Sequence, residues 1–429
     1  DLCRDLQQGT VTATAVMDNV YARIAALNPA LNALVSLIPK EQAMTLAAAA
    51  DAVPIAQRGP LHGIPMAPKD AVAVRGFSTS WGYASFAEAI EEQDDELARR
   101  LREAGAIFIG HSNMPEFGLG SHTFNQLYGH TYNPYNLSKT PGGSSGGAAV
   151  ALAADLLPLA DGSDLGGSLR NPASFCNVVG FRPSIGRMPF NRGFSWYGRM
   201  VTTGPMAKNV RDTILLFSVM AGPHASDPLT LEDPGTTFLD ALEPMGKTEV
   251  QQLRVGVSQD LGGLPIDAEV AETITAAAEV MRRLGAEVVE SAPDLKDAMD
   301  VFQVQRAAGL RLLSRRLETI DPGWRDTIKE TARWNIEKGL TLTADELLTA
   351  ELERSALYAR VAEYFEHFDA LIIPSAQVPP FDATVDWVSE INGVAMQTYI
   401  DWMEVCCMIS ATGLPSISVP GGFTRDGLP

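Results

Sequence analysis

The feature that most restricts this chain is a helix bounded by apolar strands, which recurs along its length. Residues 94–104 carry acids in a first helical turn, Leu97 and Leu101 on one face and Gly105 at the end, and they lead into an apolar strand at 106–109. A fuller cycle runs from a strand at 254–258 through a helix with Val270, Ile274, Ala277, Met281 and Leu284 on one face. It continues to Gly285 and a strand at 286–290, and a further strand at 371–373 ends at Pro374. Strands joined through helices can lie parallel, and such a sheet is covered on both faces. The expected class is therefore α/β: a single large domain over 1–429, with a mixed, mostly parallel, twisted sheet and helices on both sides. Val16, Met17, Val20, Ile24 and Leu27 predict another helix over 12–27, capped by Thr12 or Thr14 and stopped at Asn28-Pro29. Residues 291–365 read as mostly helical around Trp324 and Trp334, and an insertion is one reading of them.

Composition excludes several function classes. A net charge of −19 is the wrong sign for direct binding to a nucleic-acid backbone, which needs Lys and Arg to displace counterions. The Ala-rich runs near 46–50 and 148–157 fall short of the roughly 20 apolar residues that span a bilayer. Cys3, Cys176, Cys406 and Cys407 form neither a disulfide framework nor a metal motif, so a cytoplasmic location and no metal or cofactor are expected. The chain starts at Asp1 without a methionine, which leaves a lost targeting segment open.

The segment Thr140-Pro141-Gly142-Gly143-Ser144-Ser145-Gly146-Gly147 is the most unusual, followed by an Ala-rich run and then by Asp161-Gly162-Ser163-Asp164-Leu165-Gly166-Gly167-Ser168-Leu169-Arg170. Glycines this dense permit close backbone approach, so that N–H groups can converge on an anionic atom. A phosphate loop would need G-x-x-x-x-G-K-[ST], and no lysine follows either cluster. Gly143-Ser144-Ser145-Gly146-Gly147 formally satisfies G-x-S-x-G, which would make Ser145 the nucleophile of an α/β-hydrolase-type esterase. That motif wants a strand just before it, whereas 133–141 reads as polar turn, and only His224 and His367 lie downstream as bases. A serine without a histidine needs another proton acceptor, and Lys69, in His62-Gly63-Ile64-Pro65-Met66-Ala67-Pro68-Lys69-Asp70, stands where burial would favour a neutral amine.

With these residues in view, the sequence resembles the amidase signature family. The Lys69-Asp70 segment, the GGSSGG loop and the SDLGGSLR loop occur in the family's order, with Ser168 24 positions after Ser144. Further landmarks extend the resemblance through nearly the whole chain: Ala104-Gly105-Ala106, Asn113-Met114-Pro115-Glu116-Phe117, Gly204-Pro205-Met206-Ala207, Phe368-Asp369-Ala370-Leu371 and Gly413-Leu414-Pro415. Ala71 and Arg182 depart from the residues frequent in the family, asparagine and lysine respectively.

The resemblance implies the amidase signature fold and hydrolysis of a carboxylic amide to carboxylate and ammonia or amine through an acyl-enzyme. In the implied serine–serine–lysine triad, Ser168 is the nucleophile, Ser144 the bridging serine on a cis peptide after Gly143, and Lys69 the base. The backbone N–H groups of Leu165, Gly166, Gly167 and Ser168 would form the oxyanion hole. Asp164 and Arg170 would frame the loop, with Ser145 in support. The alternative activity is that of the glutaminase component of a tRNA-dependent amidotransferase, which shares the triad and works with partner subunits. The resemblance also implies that a strand and a helix would follow Pro429. The expected partner is a small-molecule amide, with no direct nucleic-acid or membrane contact and with a homodimer left open. Trp81-Gly82-Tyr83, Phe194-Ser195-Trp196-Tyr197 and the region from Trp387 to Trp402 are candidates to line an acyl pocket, pointing to an aryl or hydrophobic amide.

Overall fold

Thr12 starts the first long helix: its Oγ1 accepts from the Ala15 N–H at 3.1 Å, and Ala13–Leu31 buries Met17, Val20 and Ile24. The structure, a computed structural model, describes residues 2–189 and 199–429. The helix passes the expected stop because Pro29 falls in its last turn, where a missing N–H forfeits a single bond. Asn32 ends it instead, in the left-handed region, with its N–H on the Asn28 carbonyl at 2.7 Å. Leu27 stays partly exposed at 36%, outside the buried stripe.

Both strand–helix cycles form. Pro65–Met66 pairs in parallel with Ile107–Phe108 across the helix Glu96–Glu103, which buries Leu97 and Leu101. Arg254–Val257 lies between Glu287–Glu290 and Ala370–Ile372, parallel to both. The crossover helix Ala268–Leu284 packs Ile274 and Ala278 inward and ends at Gly285, at φ +105, while Leu284 is exposed.

The sheet that carries the candidate site runs differently. Its four strands, Ser416–Ser418, Val179–Arg182, Thr202–Ala207 and Ala160–Asp164, pair in that order and each pairing is antiparallel. The fold is thus a single-domain α/β arrangement with mixed sheets, in which the crossover units pair in parallel, while the four-stranded sheet and the pairs Leu34–Val35 with His111–Ser112, Phe124–Asn125 with Gly129–His130 and Glu390–Ile391 with Val394–Ala395 are antiparallel.

One large core fills the space between the helix Ala13–Leu31, the Ala-rich helix Gly146–Ala153 and the strands around Met66 and Met206. A second gathers Phe175, Phe302, Leu357 and Trp402 under the helix Glu404–Thr412. Residues 291–365 are mostly helical, with helices Ala298–Ile320, Trp324–Thr327, Glu330–Thr341 and Ala344–Phe365. They close over a third cluster of Tyr83, Phe86, Phe117 and Trp324. Burying each such side chain is worth roughly 1.5–3 kcal/mol, so these helices are held by the rest of the domain. Among the described residues no helix is long and apolar enough to cross a membrane.

Candidate active site

Lys69 follows the strand Pro65–Met66 and is held by a single bridge to Ser112. Its side chain is only 1% exposed. Nζ lies 2.6 Å from Ser144 Oγ, 3.0 Å from Ser145 Oγ and 3.0 Å from Ser163 Oγ, so three hydroxyls surround the amine. Complete burial brings the Lys69 pKa down from 10.5 to about 7, against the opposing charges of Asp161 and Asp164. A neutral amine has two N–H donors and one lone pair, so it can donate to Ser145 and Ser163 while accepting the proton of Ser144.

The two serines of the first glycine loop have different surroundings. The Gly143–Ser144 peptide bond is cis. Ser145 is the N-cap of the helix Gly146–Ala153, fully buried, with its N–H on the Ser168 carbonyl at 3.2 Å. Its Oγ also accepts the Ser163 N–H at 3.3 Å. The positive end of that helix dipole adds to the bias against a cation at Nζ. Gly162 is needed for this approach, because a Cβ there would stand 2.6 Å from Ser145 Oγ.

The strand Ala160–Asp164 places alternate residues on opposite sides. Asp161 and Ser163 face Lys69; Asp161 Oδ2 accepts the Lys69 N–H at 3.3 Å, while Oδ1 is buried without a partner. Burial pushes the Asp161 carboxyl up to about 6, against the nearby lysine. Asp164 faces the other way and holds the second glycine loop. Its carboxylate accepts the N–H groups of Gly167 at 2.9 Å and Leu169 at 3.2 Å, a double contact from Arg170 at 2.9 Å, and Arg182 Nη1 at 3.2 Å. Burial alone would raise the pKa of Asp164, but the two guanidiniums and the loop N–H groups hold it well below the usual carboxylate range. Arg170 also donates to the Cys406 carbonyl at 3.1 Å and Ser410 Oγ at 2.7 Å, which ties the loop to the helix Glu404–Thr412.

Ser168 ends this loop, 7% exposed. Among the described residues its Oγ makes no hydrogen bond, to Ser144 or to any other group. The four expected oxyanion donors separate into two kinds. The Gly167 N–H donates to Asp164 Oδ1 at 2.9 Å, whereas no described group accepts from the Leu165, Gly166 or Ser168 N–H.

Among the described residues no histidine reaches these serines. His122 packs behind Gly143, with Nδ1 on Thr140 Oγ1 at 2.8 Å and Nε2 on the Ala383 carbonyl at 3.1 Å; burial lowers its pKa to about 3. His224 bonds Ser226 at the surface. The reading that pairs Ser145 with a histidine therefore has no base.

Residues 15–429 match the model of the family described as Amidase. The chain belongs to the amidase family. It is 31% identical over 439 residues to an acylamidase of Rhodococcus erythropolis, covering 100% of this chain and 89% of that protein. It is 32% identical over 451 residues to one subunit of the glutamyl-tRNA(Gln) amidotransferase of Koribacter versatilis, covering 99% of this chain and 91% of that protein. Its fold superposes on a bacterial aryl acylamidase of the amidase signature family with a TM-score of 0.87 at 26% identity, covering 99% of this chain and 90% of that one.

Sequence reasoning singled out Lys69, Ser144, Ser145, Asp164, Ser168 and Arg170, and the fold brings all six together. It did not single out Asp161 or Ser163, although their spacing of two on one strand was the available signal. Arg182, noted only as a departure, is fully buried against Asp164. Of the candidate pocket aromatics, Tyr83 and Trp402 are core residues and Trp387 is partly buried against the second core. Residues Phe194, Ser195, Trp196 and Tyr197 lie outside the described residues.

Proposed function

We propose that this member of the amidase family hydrolyses a carboxylic amide, with Ser168 as nucleophile, Ser144 as proton bridge and Lys69 as base. The observation that carries the reading is Lys69 itself, a buried amine with a pKa near 7, 2.6 Å from Ser144 Oγ. Ser168 Oγ attacks the carbonyl carbon as its proton passes to Ser144 Oγ, whose own proton goes to Lys69 Nζ. The contact between Ser144 and Ser168 forms in the substrate complex. The developing oxyanion is met by the open N–H groups of Leu165, Gly166 and Ser168, each comparable donor being worth roughly 3–4 kcal/mol. Collapse expels the amine, which takes the proton back, and water then releases the carboxylate by the reverse relay.

The acylamidase and aryl acylamidase relatives favour a free-standing amidase. The second reading, ammonia release from glutamine inside a multisubunit complex, is favoured by the equal similarity to the amidotransferase relative. A panel of aryl, aliphatic and dicarboxylic amides and glutamine, assayed for released amine or ammonia with the isolated chain, separates them. Turnover of a simple amide that is lost in Ser168→Ala supports the first reading. Activity confined to glutamine and dependent on copurifying subunits supports the second, and turnover that survives Ser168→Ala contradicts both.

A further inference from the structure

Lys329 takes no part in the machinery above, yet it is a partly buried cation that, among the described residues, has no anion in contact. Its backbone is fixed, because its N–H donates to Glu116 Oε1 at 2.6 Å. Its Nζ sits 3.8 Å from the centre of the Phe124 ring, a cation–π contact that offers no hydrogen-bond acceptor. Among the described residues no carboxylate lies within ion-pair distance of this ammonium. Burial lowers the Lys329 pKa to about 8, while the more distant charges of Asp386 and Glu116 act to raise it. The group is therefore largely charged at neutral pH, and a partly desolvated charge with no partner is available to an anionic ligand.

Its position suggests what that is. The segment 118–123 borders both Lys329 and the triad. Gly118 lies against Ser144 Oγ, 3.4 Å from where its Cβ would be, and Gly120 lies against Lys329 Nζ at 3.5 Å by the same measure. Atoms of Ser121, His122 and Thr123 of the same segment lie 3.0–3.1 Å from where a Cβ on Gly143 would be. The two glycines are two residues apart, at most about 7 Å of chain, so the ammonium and the Ser144 hydroxyl border one short stretch of backbone.

We propose that Lys329 is the anion-binding end of the substrate cleft. It takes a carboxylate carried on the acyl part of the substrate, several bonds from the scissile carbonyl, so that the substrate class is the half-amides of short dicarboxylic acids. The proposal deepens the amide-hydrolase reading and rests on it. It also shifts the emphasis from aryl groups, since Tyr83 and Trp402 are occupied in the core, to a single charged contact at the far end of the acyl chain. Such a charge-assisted contact discriminates by at least about tenfold against a neutral analogue.

The test is binding to Ser168→Ala protein, which keeps the cleft without turnover. Succinamate, glutaramate and adipamate are each compared by calorimetry with the corresponding neutral diamide. At least one half-amide is expected to bind about tenfold or more tightly than its diamide. Adding Lys329→Met abolishes that preference, and adding Lys329→Arg, which keeps the charge, retains it. Equal binding of every pair to Ser168→Ala, or a preference that survives Lys329→Met, overturns the proposal. A Lys329→Met variant that no longer folds leaves the comparison of pairs in Ser168→Ala and the Arg variant to decide it. If instead the preference holds while wild-type protein hydrolyses no member of the panel, the amide-hydrolase reading fails and the anion site stands.

Discussion

Lys69 Nζ stands 2.6 Å from Ser144 Oγ with no ion pair to either side among the described residues, so the amine is held by hydroxyls alone. Because burial has lowered its pKa to about 7, the neutral form that can accept a proton becomes populated near neutrality. kcat/KM is expected to rise with pH along an ascending limb centred near 7. Lys69→Met should lower kcat by about three orders of magnitude or more, as removal of one member of a coupled catalytic unit does. A flat profile between pH 5 and 9 would show that some other group is the base.

Asp161 supplies the negative charge that partly offsets the burial of Lys69. Its removal in Asp161→Asn leaves the ammonium less supported, which lowers the Lys69 pKa further. The acid limb of the pH profile should move to lower pH while the protein keeps measurable activity. A limb that moves upward, or does not move, contradicts that coupling.

Asp164 joins the loop N–H groups of Gly167 and Leu169 to the buried guanidiniums of Arg170 and Arg182. Asp164→Ala would leave those cations uncompensated, and a loss of about 3–5 kcal/mol in unfolding free energy is expected by denaturant titration. The folded pKa lies below the ordinary 3.8, so the contribution of Asp164 is complete above that value and is lost only as pH falls through the folded one. Wild-type protein should thus lose this part of its stability only in strong acid, whereas the variant lacks it at neutral pH.

Gly167 adopts φ +110, and a Cβ there would stand 2.7 Å from Cys406 Cβ. Gly167→Ala should cost about 1–3 kcal/mol from the backbone alone and should displace the adjacent Ser168. A drop in both thermal stability and kcat is expected. An alanine variant with unchanged melting and turnover would show that the loop tolerates what its packing forbids.

The parts of the molecule that the sequence reveals share a physical character. The crossover units are legible because Ile107, Phe108 and Val255 are apolar and the helices between them carry one-sided stripes. Ser144 and Ser168 stand out because glycine-dense loops are rare in ordinary connections, and Lys69 because a serine without a histidine needs another proton acceptor. The antiparallel sheet is not legible: Ala160–Asp164 reads ADGSD and Thr202–Ala207 contains a glycine and a proline, residues poor in strand preference. The backbone of Ala160–Asp164 pairs over all five residues with Thr202–Met206, while Asp161 and Ser163 pack on Lys69 and Asp164 on Arg170 and Arg182. For the same reason Asp161, Ser163 and Lys329 pass unnoticed in one dimension, since each takes its meaning from a distant neighbour. Pro29 misleads in the opposite direction, because a proline in a last turn ends nothing when Asn32 provides the cap.

The assignment of Ser168 as nucleophile is tested most directly by intact-mass measurement after incubation with a fluorophosphonate, followed by peptide mapping. One phosphonyl adduct per chain is expected, on the peptide that contains Ser168, retained in Ser145→Ala and absent from Ser168→Ala. Labelling of Ser168→Ala at the wild-type rate, or an adduct mapped to Ser145, would contradict it.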